Sequence, residues 1–380
     1  MKIAVVGAGF SGSVVAHELA KDGHQISVFE TRSHIGGNCF TKRDNDTGVL
    51  VHEYGPHIFH TDDEEVWNFV NQYTEFKDYI NRVKSTVKGR VYSLPVNLHT
   101  INQFFEKSLS PKEAENFIKL LAKKSNAKAE NFEEQALKFI GEDLYNAFFK
   151  GYTKKQWGID PKEIPASVLK RLPIRFNYDD NYYFHKYQGM PINGYTPIFE
   201  KLLEPDNIKV MINKAFDQKD VYKYDHVFYS GPLDSWFNKR YGSLGYRTLD
   251  FHREVFDGDF QGCAVMNYGD ENIPFTRITE HKHFAPWEKF NKTVIFKEYS
   301  RYCGENDIPY YPIRLTKDKD LLYKYIENAK KEEKVSFIGR LGTYRYLDMD
   351  VTIREALDAA KKTKKSIQNN IKIPPFFINV

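Results

Sequence analysis

The sequence predicts an α/β protein in three parts: a parallel-sheet domain drawn from both ends of the chain, a helical-bundle insertion and an antiparallel sheet. Three observations predict it. The first thirty residues read strand, glycine turn, helix, strand; residues from about 100 to 170 carry apolar positions at helical spacing; residues 205–310 are rich in Val, Tyr and Phe with period-two stretches. The length of 380 residues allows two or three folding units, and a hydrophobic content of 41 % excludes disorder as the main state. The 55 basic and 51 acidic residues nearly cancel, leaving +4, too little for a dedicated nucleic-acid binder. Aromatic residues make up 15 % of the chain, a feature that stands out.

The elements follow in order. Ile3-Ala4-Val5-Val6 is a short β-branched run of the kind buried in parallel sheets. Gly7-Ala8-Gly9-Phe10-Ser11-Gly12 follows, then a helix over Ser13–Asp22 stopped by Gly23, then a strand over Ile26–Phe29 ending at Glu30. Each glycine has a mechanical reason: Gly7 permits the tight turn, Gly9 lets backbone approach a pyrophosphate, and Gly12 lets helix pack close on strand. The helix start offers unpaired N–H groups and the positive end of its dipole to phosphate. Glu30 stands 18 residues beyond Gly12, placed to accept hydrogen bonds from a ribose diol and to disfavour a 2′-phosphate. The unit is thus a Rossmann-like dinucleotide-binding domain.

Downstream, Val83–Val87 and Arg90–Leu94 flank Lys88-Gly89 as a hairpin, and Ser110-Pro111-Lys112-Glu113 is a capping box opening a helix with Ala114, Phe117, Ile118 and Leu121 on one face. Asn131 and Glu134 start another helix with Leu137, Ile140 and Leu144. His252–Phe256 and Thr293–Tyr299 alternate as antiparallel strands. Val335–Gly339 is a late strand, and Asp350–Ser366 the final helix, with Thr352-Ile353-Arg354-Glu355 as its capping signal. The expected division is 1–78, 185–238 and 312–380 for the cofactor domain, 79–172 for the mainly helical domain, and 173–184 with 239–311 for the antiparallel sheet.

Cys39, Cys263 and Cys303 lie far apart, so neither a redox dithiol nor a metal site is expected. The apolar start is broken by Gly7, Gly9, Gly12, His17 and Glu18, unlike a signal peptide, and no apolar run is long enough to span a bilayer; a cytoplasmic protein without membrane partners is expected. Gly36-Gly37-Asn38, just after the ribose acid, lets a second loop approach the cofactor. That extension is similar to the glutathione-reductase-like FAD proteins, in which Gly37 and Asn38 lie along the cofactor toward the flavin. No second strand–GxGxxG–helix unit follows, so the chain reads as a flavoprotein dependent on an external reductant.

Several blocks together resemble the bacterial UDP-galactopyranose mutase family along essentially the whole chain: Gly55–His60, Gly151–Gly158, Arg171–Asp179, Phe275–His281 and Gly339–Asp350. The resemblance implies interconversion of UDP-galactopyranose and UDP-galactofuranose with no net redox. It implies reduced FAD, whose N5 attacks the anomeric carbon, ring opening through a flavin iminium and reclosure, a homodimer, and supply of galactofuranose to cell-surface glycans. It implies Arg171 and Arg277 on the substrate diphosphate, Arg171 in a mobile loop beside Leu172-Pro173, and His60, Arg340 and Asp348 close to flavin and sugar. Position 60 is expected to favour plain UDP-galactose over its 2-acetamido analogue. Phe148 and Tyr152 would flank uracil, with Thr153, Trp157 and Tyr182 in the same region, Tyr311 and Tyr346 on the diphosphate, and Asn81 and Asn267 near the sugar or its phosphate. The expected cofactor set is Gly7, Gly9, Phe10, Ser11, Gly12, Glu30, Arg32, Gly37, Asn38, His57, Gly339, Arg340, Tyr346 and Met349. Two other classes share the glycine fingerprint. An amine-oxidase-type enzyme would not need Arg171 and Arg277. A cofactor-free binding protein like the GDP-dissociation inhibitors would not need Gly7, Gly9, Gly12 and Glu30.

Overall fold

A five-stranded parallel sheet organises the cofactor end of the molecule. The computed structural model describes residues 1–122, 128–166, 174–313 and 319–379. Strand order across this sheet is Ile208–Met211, Gln25–Phe29, Lys2–Val6, His226–Tyr229 and Val335–Phe337, every neighbouring pair parallel. Alternation divides the first strand between two cores. Ile3 and Val5 pack with Val14, Val15 and Leu19 of the first helix and Ile353 and Ala356 of the last, whereas Ala4 packs with Val227, Tyr325 and Phe337 on the other face. Both faces are therefore covered, as a parallel sheet requires.

The first helix spans Phe10–Ala20, three residues earlier than its pattern suggested, because Gly9 is already its N-cap with extended backbone and buried Phe10 begins the first turn. The final helix runs Met349–Gln368. Its expected capping signal is not used: Thr352 Oγ1 donates back to the Asp348 carbonyl at 2.8 Å, and Glu355 pairs with Arg345 instead of the helix start.

A seven-stranded sheet forms the second layer, ordered Tyr311–Pro312, Tyr246–Asp257, Lys292–Tyr302, Arg277–Glu280, Val265–Tyr268, Val83–Val87 and Arg90–Leu94. Its two long strands are the alternating segments read from sequence. Two expectations change here. The stretch 205–238 is not antiparallel: Ile208–Met211 and His226–Tyr229 belong to the parallel sheet. Period-two alternation does not tell an antiparallel strand from a short parallel one. The Lys88-Gly89 hairpin forms, with φ of 49° and 74° at its corner, but it is hydrogen-bonded into the seven-stranded sheet through a parallel pairing with Val265–Tyr268 rather than standing with the helices alone.

Helices Leu98–Phe105, Pro111–Leu121 and Phe132–Leu144 bury Ile101, Ile118 and Ile140 against that hairpin. Ser110 donates from both its backbone N (2.8 Å) and Oγ (2.6 Å) to Glu113, and Asn131 Oδ1 accepts from the Glu134 N–H at 3.0 Å. After Leu144 the chain makes a π turn over Tyr145–Lys150 before continuing as Gly151–Trp157. A π turn inserts a residue into the helix and shifts the phase of every side chain beyond it.

Three histidines are deeply buried: His52, His226 and His281, each 2 % exposed or less. Burial lowers all three, His226 and His281 to about 3 and His52 well below its ordinary value. They stay neutral in the native protein while an unfolded chain takes up protons below about 6.5. Stability contributed by these groups is thus present above pH 6.5 and lost as pH falls from 6.5 toward 3. Each contributes up to roughly 1.4 kcal/mol per pH unit in that window. Denaturant unfolding at pH 7 and pH 5 is expected to show a marked drop in midpoint; an unchanged midpoint would mean that these histidines are already protonated in the fold.

Candidate functional site

Two cavities meet at the C-terminal edge of the parallel sheet, where ligands of such sheets bind. The first, about 490 Å³, is lined by Gly7, Gly9, Phe10, Ser11, Glu30, Arg32, Gly37, Asn38, His57, Gly339, Arg340 and Met349, among others. Its geometry fits a dinucleotide. Gly9 and Gly37 face each other, so that a Cβ built on Gly9 would stand 3.8 Å from the Gly37 Cα; two bare backbones leave a cradle beside a helix start that has no capping side chain. Gly12 lies outside the lining and has the packing role: its Cβ would fall 1.9 Å from the Gly7 carbonyl oxygen. Gly339 comes from the other end of the chain, and its Cβ would meet Ser11 Oγ at 2.4 Å.

Glu30 is buried at the far end of this cavity. Its carboxylate accepts from the Ala8 N–H at 3.0 Å and the Arg32 N–H at 2.9 Å, so the turn itself orients it. Arg32 donates to Asn38 Oδ1 at 2.7 Å and lies over the Tyr54 ring at 4.3 Å. Cys39 lines the same space, and burial pushes its thiol up to about 12, which keeps it out of thiolate chemistry.

The second cavity, about 410 Å³, shares Asn38, His57, Tyr310, Arg340 and Met349 with the first. These five residues are the junction. His57 Nδ1 sits 2.8 Å from the Gly55 carbonyl, and burial, aided by the charges of Arg340 and Arg277, lowers the ring to about 4. The imidazole is therefore neutral, donating from Nδ1, with Nε2 left as an acceptor. Arg340 donates to the Tyr310 carbonyl at 3.2 Å and to the Leu347 carbonyl, and lies 4.9 Å from the Tyr346 ring centre.

Beyond the junction the wall is aromatic. Trp157 meets Tyr311 edge to face at 5.6 Å, Tyr311 meets Tyr346 at 5.9 Å, and Gln156 donates to the Tyr311 hydroxyl. His60 stacks on Tyr183 at 3.8 Å. Burial pushes Tyr152 up to about 12 and raises Tyr182, Tyr183 and Tyr311 as well, so these phenols stay protonated and present O–H donors.

Arg277 supplies the charge. The strand register sets it directly opposite Glu298, and its Nε donates to Glu298 Oε1 at 3.0 Å. The Glu298 side chain is 2 % exposed and that of Arg277 25 %. Burial works against the guanidinium charge, but the neighbouring carboxylate overcomes it and raises the group above its ordinary value. The bond takes one edge of the fork and leaves the terminal amino pair for other partners.

The two cavities thus gather His60, Tyr152, Trp157, Tyr182, Arg277, Tyr311, Tyr346 and Asp348 opposite the dinucleotide cradle. Tyr346 lies with this second group rather than in the cofactor cavity itself. Besides Gly12, four expected residues line neither space. Phe148 is 4 % exposed, its ring packed edge to face on Tyr92 at 5.3 Å and near Phe104, so it stands in the core rather than on a cavity wall. Thr153 is buried, 5 % exposed. Asn81 and Asn267 each hold an Oδ1 buried without a hydrogen-bond partner. Arg171, with Leu172 and Pro173, lies outside the described residues.

Residues 147–346 match the family described as UDP-galactopyranose mutase, and residues 5–73 match an NAD(P)-binding Rossmann-like domain. A Klebsiella pneumoniae protein described as a probable UDP-galactopyranose mutase is 57 % identical over 378 residues, covering 100 % of this chain and 98 % of the relative. The chain belongs to the UDP-galactopyranose mutase family. Its members by name include an isomerase of Mycoplasma genitalium, UDP-galactopyranose mutase, 32 % identical over 95 % of this chain and 94 % of the relative. An Escherichia coli dTDP-fucopyranose mutase is 53 % identical over 95 % of this chain and 97 % of its own. The fold agrees with the crystal structure of a reduced UDP-galactopyranose mutase at a TM-score of 0.76 and 17 % identity, over 96 % of this chain and 95 % of the other. A putrescine oxidase shares it more distantly, at a TM-score of 0.58 and 12 % identity over 96 % and 99 % of the two chains.

Family membership and the Rossmann-like domain make this chain a flavoprotein isomerase, and among its described residues no helix is long and apolar enough to cross a membrane. Several wall residues carried no local signal. Tyr54, Gln156, Tyr183, Glu298 and Tyr310 line the second cavity of this mutase-family chain, yet none stands at a spacing that marks it. Glu298 enters through strand register alone, on a strand 21 residues beyond its partner.

Proposed function

We propose that this chain interconverts UDP-galactopyranose and UDP-galactofuranose, with reduced FAD in the first cavity and the nucleotide sugar in the second. The observation that carries the reading is the junction: a dinucleotide cradle opening through His57, Arg340 and Met349 onto a tyrosine-lined space that contains Arg277. Gly7, Gly9, Ser11, Gly37 and Glu30 would hold the pyrophosphate and ribose of FAD, with Arg32, Asn38, Gly339 and Met349 farther along. Bound and reduced, FAD supplies a nucleophile toward the sugar without net redox.

The chain's own residues do the rest. Arg277 and the Tyr311 and Tyr346 hydroxyls stabilise the diphosphate as its bond to the sugar breaks, and they hold it for return. Tyr152, Trp157 and Tyr182 offer flat faces to the uridine; stacking is worth about 1–3 kcal/mol per base. His60, Arg340 and Asp348 stand where the sugar must lie between diphosphate and flavin. Arg171 is the proposed second diphosphate arginine. Since no second GxGxxG unit occurs in the sequence, the electrons come from an external donor. The working form is read as a homodimer, and the product as a precursor of cell-surface glycans.

Dithionite-reduced protein is incubated with UDP-galactofuranose and the products are separated by chromatography; UDP-galactopyranose is expected. No conversion, or equal conversion by the fully oxidised protein, sinks the reading. dTDP-fucopyranose is run beside it, because the dTDP-fucopyranose mutase is nearly as similar as the probable UDP-galactopyranose mutase. Preference for the dTDP sugar would replace the proposed substrate.

A further inference from the structure

Lys155 lines neither cavity, yet its ammonium is held in an unusual way. Nζ lies 2.7 Å from the Tyr268 carbonyl oxygen, 2.9 Å from that of Asp270, 3.0 Å from that of Ile273 and 3.1 Å from that of Phe275. An ammonium has three N–H donors, so four carbonyl oxygens share them around one point charge. Four converging carbonyl dipoles repel one another unless a cation stands between them. Tyr268 ends the strand Val265–Tyr268, and the other three belong to the turn that joins it to Arg277–Glu280.

The two ends of this contact are the two sides of the nucleotide cavity. Lys155 stands on Gly151–Trp157, the helix that carries Tyr152, Gln156 and Trp157 into the cavity wall. The turn it clamps leads directly into Arg277. Around the clamp the packing is backbone on backbone: a Cβ on Gly151 would lie 2.2 Å from the Gly269 carbonyl oxygen, and one on Gly269 would lie 2.6 Å from that of Ala147. An outer pair, Lys154 with Glu271 at 3.0 Å, is solvent-exposed on both sides and adds little. The Lys155 side chain is half-buried, and burial lowers its ammonium to about 8 against the pull of Asp270 and Glu271.

We infer that Lys155 is a positioning residue for the nucleotide site, a tethered monovalent cation that fixes the turn before Arg277 against the aromatic helix. The inference rests on the proposed mutase reading only for the identity of the nucleotide. Without the cation the four carbonyls turn apart toward water, and Arg277 loses its register with Tyr152 and Trp157 while the dinucleotide cradle, built on other elements, is untouched.

Lys155→Met keeps the aliphatic stem and removes the charge. Flavin content is expected to stay near wild type, KM for UDP-galactofuranose and Kd for UDP to rise about tenfold together, and kcat to fall as well, because the displaced Arg277 also serves the bond-breaking step. Lys155→Ala leaves room for a free cation. Added methylammonium is expected to restore its UDP affinity; tetramethylammonium, with no N–H, is not. UDP and dTDP are titrated calorimetrically into the same proteins, so nucleotide binding is read apart from turnover. Wild-type affinity in Lys155→Met overturns the inference. So does a parallel loss of flavin and nucleotide, which marks a general structural role, or failure of methylammonium to restore Lys155→Ala. A wild-type protein that binds nucleotide but converts neither sugar refutes the mutase reading and leaves the Lys155 comparison standing; one that binds neither nucleotide overturns both.

Discussion

Arg277→Ala is expected to abolish turnover while the flavin remains bound. Two terminal amino groups of the fork are lost to the diphosphate, and hydrogen bonds to charged groups contribute about 1.5–3 kcal/mol each, on the order of 10²–10⁴ in rate for the two. A second effect comes from the protein side. Glu298 is 2 % exposed and loses its counter-charge. Breaking a buried pair by removing one partner costs about 3–5 kcal/mol, and the partial exposure of Arg277 places this pair at the low end. The variant should therefore unfold at lower temperature as well as fail in catalysis. Adding Glu298→Gln removes the stranded charge and separates the two effects: the melting temperature should recover and the turnover should not. If turnover returns with stability, Arg277 acts only as a structural partner of Glu298 and the diphosphate role is wrong.

Gly9→Ala and Gly12→Ala should fail in different ways, although the two residues belong to one six-residue motif. Gly12 has no room: the new methyl would sit 1.9 Å from the Gly7 carbonyl oxygen and 3.0 Å from Val5 Cγ1, and neither backbone nor buried strand can move away cheaply. Insoluble or unfolded protein is the expected result. Gly9 has ordinary extended backbone and its nearest neighbour would be 3.8 Å off, so the alanine variant should fold. Its methyl instead fills the cradle that faces Gly37. Overpacking of about 1–3 kcal/mol against a pyrophosphate would weaken cofactor binding roughly 10–100-fold. The check is the flavin-to-protein ratio of the purified variant beside its circular dichroism. A Gly9→Ala protein with full flavin occupancy would move the pyrophosphate away from this turn.

What could be read from the sequence was what the chain does over short distances. The Val6-to-Gly12 turn, Glu30, the Lys88-Gly89 corner and the Ser110 and Asn131 helix starts depend on neighbours within a few residues, and their residue types report it. Arg277 and Tyr311 came from the family resemblance rather than from spacing. Glu298, Tyr183 and Tyr310 were missed because they reach the cavity only by strand register and by the stacking of distant segments. Phe148 is expected on the uracil and lies off the walls of both described cavities. It sits inside the π turn of Tyr145–Lys150, where helical counting fails, and its ring points into the core beside Tyr92. Thr352 to Glu355 looked like a helix start because the pattern was right, but Arg345 takes the glutamate.

The parallel sheet takes its central strand from the first residues of the chain and an edge strand from Val335–Phe337, and Gly339 comes to rest against Ser11. A nascent chain can therefore make the glycine turn early but cannot close the pocket around it until residue 339 is in place. Cofactor capture is thus a late event in the life of this protein. A chain cut short before residue 339 would carry an intact fingerprint and lack one wall of the pocket around it.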